Sequence, residues 1–166
     1  MYYKIDDFVK NCTYEMQSTI KLWKNLTDQS LSFKPHPDVR SLGFMAWHIT
    51  VTFTEMMGLT GLKVDGTHQA DYNGESVTTI LETYERSATS LMNLLQSQWK
   101  DADLDIEDDM YGQRWKRGNT LQILLRHQTH HRGEMIPLMR MAGLKVIGIY
   151  GPSKEEWIAW GREPMN

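Results

Sequence analysis

The sequence predicts an all-α protein: an up-down four-helix bundle with a short hairpin-like insertion before the fourth helix and a short C-terminal helix. Two observations support this fold class. Apolar residues recur at helical spacing in four long segments, and connectors that contain proline or glycine separate these segments. The chain has 166 residues, 40% of them hydrophobic, which is enough to form one domain, residues 1–166, around one core.

The first two helices are expected on either side of a proline-containing connector. Residues 4–27 carry apolar side chains at spacings of three, four and seven, which indicates an amphipathic helix. Pro35 and Pro37 then interrupt helical structure, because proline lacks an amide proton and restricts the residue before it. Ser41 is a favourable N-cap, so the second helix is expected to run from there to about Met57.

The second half of the chain is expected to contain two further long helices. A third helix is predicted over residues 75–99 from its apolar spacing. Two short extended pieces around Gly112 then favour a small hairpin. Asn119 is expected to cap the fourth helix, which should end near Gly143, and the short C-terminal helix is predicted over residues 153–160.

Composition narrows the partners and the cellular compartment. Charged residues make up 23% of the chain and the net charge is −3, so the basic stripe of a nucleic-acid-binding protein is absent. No apolar run approaches the roughly 18 residues of a membrane span. The single cysteine, Cys12, cannot form an internal disulfide, so we expect a reducing, cytoplasmic environment. We therefore expect neither a nucleic acid nor a membrane as a partner; a small-molecule substrate is instead the partner that a metal site would accept.

The most informative segment is LLRHQTHHRGEM, residues 124–135. His127 and His131 lie four residues apart in a helical pattern, so both imidazoles project from one helical face and can share one metal ion. His48 lies far upstream, in the second predicted helix. If the two helices pack together, these three histidines form a metal site with three nitrogen ligands and room for water or substrate.

The sequence pattern alone leaves alternatives to this ligand set. His130 forms a second pair with His127, three residues apart, although successive residues of a helix point about 100° away from each other. A histidine on a buried helical face is more often a hydrogen-bonded core residue than a ligand. Gln128 stands where the H-E-x-x-H motif of zinc proteases has its glutamate, which excludes that class. His36 and His68 lie in connectors and are expected to be exposed.

Four further residues are candidates for roles near this site. Glu55 follows His48 on the same predicted helix and is a candidate hydrogen-bond acceptor for its ring. Tyr111 and Trp47 are candidates to line a pocket, with core packing as the alternative for Trp47. Arg132 is expected either to form a salt bridge on the helix surface or to contact an anion at the opening of the site.

Three segments resemble the DinB/YfiT-like family. SLGFMAWHIT, which contains His48, is similar to the second-helix motif of that family. HQTHHRGEM is similar to the family's H-x-x-H-H-R-G-[QE] signature, and LMRMAGL, residues 138–144, is similar to the usual end of its last long helix. The resemblance covers nearly the whole chain.

The resemblance implies a four-helix bundle, often a homodimer, with a metal held by His48, His127 and His131 and no ligand role for His130. Characterised relatives include thiol-dependent enzymes that use bacillithiol or mycothiol. By analogy, we expect a metal-dependent protein that acts as a thiol-dependent transferase or a hydrolase. Zinc or nickel is the expected ion, with a low-molecular-weight thiol as the candidate cofactor. The alternatives are a non-catalytic bundle with a structural metal and a dimeric binding module.

Overall fold

The computed structural model describes residues 1–164 and confirms the predicted fold class. Four long helices form a bundle, and a two-stranded sheet and a short fifth helix accompany them. The helices and strands are α1 (Ile5–Trp23), α2 (Leu42–Gly58), α3 (Val77–Gln98), β1 (Glu107–Met110), β2 (Gln113–Lys116), α4 (Arg117–Met141) and α5 (Lys154–Ala159). Among residues 1–164, no helix has the length and apolar character needed to span a bilayer.

The helices α2 and α4 begin in different ways. The side chain of Ser41 accepts the backbone N–H of Phe44, which confirms Ser41 as the N-cap of α2. The prediction that Asn119 caps α4 is wrong. This helix begins at Arg117, immediately after β2, because the strand leads into the helix without a loop. Pro137 lies inside α4, which continues to Met141.

Two short turns also follow from local capping. α1 ends at Trp23, earlier than predicted, because Thr27 caps a separate 3-10 turn over Asp28–Ser32. At the other end of the chain, Ser153 and Glu156 form a reciprocal capping box that starts α5.

The order of the helices around the bundle places α2 beside α4. α1 packs against α3 and α4, and α2 packs against the same two helices, so α1 and α2 occupy opposite corners. Twelve of the 17 residues of α2 are buried, as expected for a helix that is apolar on nearly all sides. The aromatic rings of Trp23, Phe53 and Tyr84 meet in the core, with centroids 4.9 and 5.4 Å apart.

The predicted hairpin around Gly112 is confirmed. β1 and β2 pair antiparallel, from Glu107 opposite Lys116 to Met110 opposite Gln113. The two residues between the strands, Tyr111 and Gly112, both have positive φ, 57° and 78°, as in the type I′ turns that match the twist of a hairpin. Because β2 runs directly into α4, the hairpin is fixed at the start of the helix that carries two of the candidate ligands.

Candidate metal centre

The histidines predicted as ligands come together between α2 and α4. His127 and His131 lie one helical turn apart on α4, and their Nε2 atoms are 3.0 Å apart. The ring centroid of His48, on α2, lies 5.2 Å from that of His127 and 4.8 Å from that of His131. One ligand atom from each ring lies within 4.8 Å of the other two. The structure therefore brings together residues that the sequence separates widely.

Two of the three rings have hydrogen-bond partners that fix their orientation. His131 Nδ1 donates to Glu134 Oε2 at 2.7 Å, and His48 Nδ1 donates to Gln69 Oε1 at 3.3 Å. Because each outer nitrogen is the donor, the inner Nε2 of each neutral ring keeps its lone pair. The expectation that Glu55 accepts from His48 is wrong, since Glu55 Oε1 instead accepts the hydroxyl proton of Tyr111 at 2.9 Å.

Sequence reasoning did not identify Gln69 or Glu134 as partners of the ligand rings. Glu134 follows His131 by three residues on α4, so the helical spacing could have indicated it. Gln69 lies in a 3-10 turn, Gln69–Asp71, within the loop between α2 and α3. No local pattern indicates where that loop folds back.

Burial and mutual repulsion favour the neutral form of the imidazoles. Burial, followed by the proximity of His131 and His48, lowers the pKa of His127 to about 4. Burial, followed by His131, also lowers the pKa of His48. Both groups resist protonation because a charge would be partly desolvated and would lie beside other imidazoles. Uncharged imidazole is the form that binds a metal ion.

His130 points away from this cluster. Its side chain is 65% exposed, whereas that of His131 is 12% exposed. Its Nε2 lies 3.4 Å from Glu134 Oε1, so His130, His131 and Glu134 form a second grouping of potential ligands. In that grouping only His131 is substantially shielded from solvent.

A cavity of about 310 Å³ adjoins the cluster on the side of the hairpin. It is lined by His48, Thr52, Glu55, Met56, Tyr111, Trp115, Ile123 and His127. A second cavity, of about 590 Å³, adjoins His131 on the other side and is lined in part by Arg40 and Glu134. Tyr111 thus lines a pocket as expected. Trp47 is a core residue, 3% exposed, whose indole N–H donates to the carbonyl oxygen of His68.

The donor set fits a divalent transition metal. Two nitrogens bound to one ion at about 2.0–2.1 Å are separated by roughly 3 to 3.4 Å, depending on coordination geometry, and the Nε2 atoms of His127 and His131 are 3.0 Å apart. With His131 Nδ1 as donor to Glu134, the proton between these two Nε2 atoms belongs to His127. A cation bound by both nitrogens would replace that proton. His127 Nδ1 is buried without a hydrogen-bond partner among residues 1–164.

The remaining residues singled out from the sequence lie outside the cluster. His36 and His68 are exposed, as expected. Arg132 forms a salt bridge, as one of the two expectations had it, but the surface location is wrong, because its side chain is only 2% exposed. It donates to the Glu15 carboxylate at 2.6 Å and to the hydroxyl oxygen of Thr19 at 2.9 Å, and so ties α4 to α1.

The family is decided by comparison of the whole sequence. The model of the DinB family matches residues 1–163. The chain belongs to the DinB family. This DinB-family protein is also 37% identical over 167 residues to the uncharacterized protein YrdA of Bacillus subtilis (strain 168), a match that covers 98% of each chain.

Solved structures show the same fold as this DinB-family protein. The crystal structure of a DinB-like protein from Bacillus cereus is 40% identical, with a TM-score of 0.85, and the match covers 90% of this chain and 100% of the other. The DinB-like protein YjoA from Bacillus subtilis is 20% identical, with a TM-score of 0.68 and coverage of 88% and 98%. At 20% identity, the similarity to YjoA shows a shared fold alone.

Proposed function

We propose that His48, His127 and His131 bind one divalent transition-metal ion, zinc or nickel, and that the protein is a metal-dependent enzyme acting on a small molecule, as a thiol-dependent transferase or a hydrolase. The observation that carries this proposal is the convergence of three imidazoles from two helices, with one ligand atom of each within 4.8 Å of the others. Membership in the DinB family and the adjoining cavity support it.

The side chains around the cluster have distinct roles in this proposal. Glu134 and Gln69 hold the rings of His131 and His48 so that their Nε2 atoms face inward. The ion, when bound, supplies Lewis-acid activation of water or of a thiolate. The cavity beside His48 and His127 provides space for the substrate, and its apolar residues Met56 and Ile123 limit access of bulk water.

Metal content tests the ligand set. The wild type and the variants His48→Ala, His127→Ala, His131→Ala and His130→Ala would be loaded with zinc or nickel, desalted and analysed by mass spectrometry of the elements. We expect one ion per chain in the wild type and in His130→Ala, whose histidine is 65% exposed, and loss of the ion in the other three. A wild type that binds no stoichiometric metal would favour histidines that serve only as core residues.

A structural metal is the second candidate function, because the proposed ligands join α2 to α4. In this case a chelator would lower the melting temperature, since metal binding contributes folding free energy. It would remove no turnover. Transfer of bacillithiol to 1-chloro-2,4-dinitrobenzene and hydrolysis of p-nitrophenyl acetate are suitable probes. Activity that is lost on chelation and restored by zinc or nickel, but absent in His48→Ala, would favour the enzyme.

We also propose a single domain over residues 1–166, a homodimer and a cytoplasmic location. The single cysteine, Cys12, supports a reducing compartment, because one cysteine forms no internal disulfide. Analytical ultracentrifugation of the metal-loaded protein tests the dimer: a single species with the mass of one chain, 19.4 kDa, would contradict it.

A further inference from the structure

The outer wall of the 310 Å³ cavity has a composition that metal binding does not explain. It consists of one carboxylate and two aromatic rings: Glu55 on α2, Tyr111 at the hairpin turn and Trp115 on β2. The centroids of the two rings are 6.1 Å apart, with the ring planes inclined at 59°. His48 and His127 line the same cavity. A molecule bound in this cavity therefore lies beside these two histidines as well as beside the carboxylate and the rings.

Tyr111 occupies a backbone position that does not favour tyrosine. It is the one non-glycine residue with positive φ, 57°, in the described part of the chain. This conformation is unfavourable for an L-residue with a bulky side chain, and turns of this type usually contain Asn, Asp or Gly there. Burial does not offset the cost, because the side chain is 55% exposed. Strain of this kind clusters at functional sites.

Glu55 presents a negative charge that no cation of the protein offsets directly. It lies two helical turns after His48 on α2, and its side chain leans back towards the N-terminus of the helix. Within residues 1–164 no lysine, arginine or histidine forms an ion pair with it. Its hydrogen bond comes from the neutral Tyr111 hydroxyl, which leaves the charge in place. Burial, together with Glu55, raises the pKa of Tyr111, so the hydroxyl stays protonated.

A carboxylate and two aromatic rings that line one cavity can together recognise a cationic ammonium group. The carboxylate pairs with the ammonium, and the negative face of each ring attracts the same charge. An anionic group is disfavoured in the same place by the Glu55 charge.

We infer that the cavity between the hairpin and α2 binds the amino group of a cationic substrate, with Glu55 as its ion-pair partner and Tyr111 and Trp115 as its aromatic walls. This inference rests on the proposed function, since the other end of the substrate reaches the metal held by the three histidines. Tyr111 holds the Glu55 carboxylate by its hydrogen bond and contributes a ring face. These three residues determine specificity.

Thiols of matched length and different charge test the inference without an enzymatic assay. Protein loaded with cobalt(II) would be titrated with a homologous series of ω-aminoalkanethiols and with ω-hydroxyalkanethiols of the same lengths, compared at equal thiolate concentration. The thiolate–cobalt absorption band reports binding. We expect one length of aminothiol to bind on the order of tenfold more tightly than its hydroxyl counterpart. Added salt should reduce this preference.

Variants separate recognition from metal binding. Glu55→Gln should reduce the preference for the amino series to within about twofold without weakening the hydroxyl series, and Trp115→Leu should reduce it in part. Glu82→Gln removes a carboxylate from an exposed position of α3 and should leave the preference intact. Tyr111→Phe keeps the ring and removes the hydrogen bond to Glu55, so it should retain part of the preference. Circular dichroism would verify that each variant is folded.

The possible failures are distinguishable. A wild type that takes up no cobalt overturns the proposed metal site, and the inference falls with it. A cobalt-loaded protein that binds both thiol series equally, or binds neither, overturns the inference and leaves the metal site in place. A preference that persists unchanged in Glu55→Gln would also overturn it, because the selectivity would then arise elsewhere in the site.

Discussion

Replacement of Arg132 by methionine should strongly destabilise the protein, although the sequence suggests a surface residue. The guanidinium is 2% exposed and makes four hydrogen bonds. It donates to the backbone carbonyl oxygen of Glu15 at 3.2 Å, the Glu15 carboxylate at 2.6 Å, the Thr19 hydroxyl oxygen at 2.9 Å and the Tyr150 hydroxyl oxygen at 3.0 Å. Arg132→Met keeps the apolar part of the side chain and removes all four donors.

The expected loss of stability arises because the hydrogen-bond acceptors of Arg132 stay buried after their donor is removed. Removal of one partner of a buried ion pair costs about 3–5 kcal/mol, because the other charge remains desolvated. The Glu15 side chain is 14% exposed and can regain some hydration, so the lower end of this range, about 3 kcal/mol, applies. For a chain of this length each kcal/mol shifts the melting temperature by about 2–4 °C, so we expect a decrease of about 6–12 °C.

Urea denaturation of the metal-free protein measures the effect, and Arg140→Met is the matched control. Arg140 lies on the same helix and also binds a carboxylate, that of Glu155, with two hydrogen bonds. That pair is exposed, 40% and 39%, so its loss should cost less than about 1 kcal/mol. If both variants lose a similar free energy of unfolding, or Arg132→Met loses less than about 1 kcal/mol, the argument from burial is refuted.

Three further predictions concern α4, the partners of the histidine rings and the C-terminal segment. Gly118→Ala should lower the free energy of unfolding by about 1–3 kcal/mol, because the added methyl group would collide with a carbonyl oxygen of the N-terminal segment. Gly133→Ala should raise the free energy of unfolding by about 0.5–1 kcal/mol, because no neighbouring atom lies within 4 Å of the added carbon. Equal effects of the two substitutions in urea denaturation would contradict this prediction. Glu134→Gln and Gln69→Leu should each weaken zinc or nickel binding about 10–100-fold by competition with a chelator, and unchanged affinity would show that the hydrogen bonds do not orient the rings. Hydrogen bonds from backbone N–H groups lower the pKa of Glu156, so its stabilisation of α5 should be complete above pH 4.5, the ordinary value, and lost as the pH falls through the lowered pKa. Amide hydrogen exchange in the loop before α5 would detect this loss of stability. If the same pH dependence were found in Glu156→Gln, the loss could not be assigned to Glu156.

The sequence was sufficient to predict those features of the structure that short-range geometry decides. The spacing of His127 and His131 fixes both on one face of α4 whatever surrounds the helix. The apolar run around His48 required a buried helix, and the family resemblance indicated which histidines meet. The hairpin followed from a glycine between two short extended segments.

The sequence was not sufficient where a distant segment decides the structure. Arg132 is buried because Glu15 and Thr19 on α1 accept its protons, and charge alone favours an exposed position. Gln69 reaches His48 through a loop whose path depends on packing against α2. Asn119 has good capping chemistry, but strand pairing sets the start of α4 before this residue is reached.

The corner arrangement of the helices has a consequence for assembly of the protein in the cell. Since both long helices that pack against α2, namely α3 and α4, follow it in the chain, a ribosome-bound fragment that ends before α4 contains His48 without His127 and His131. A single imidazole binds a divalent ion weakly, so the proposed metal site would form only after nearly the full length has emerged and folded. Uptake of the ion would then report a finished bundle, and truncated chains would remain metal-free.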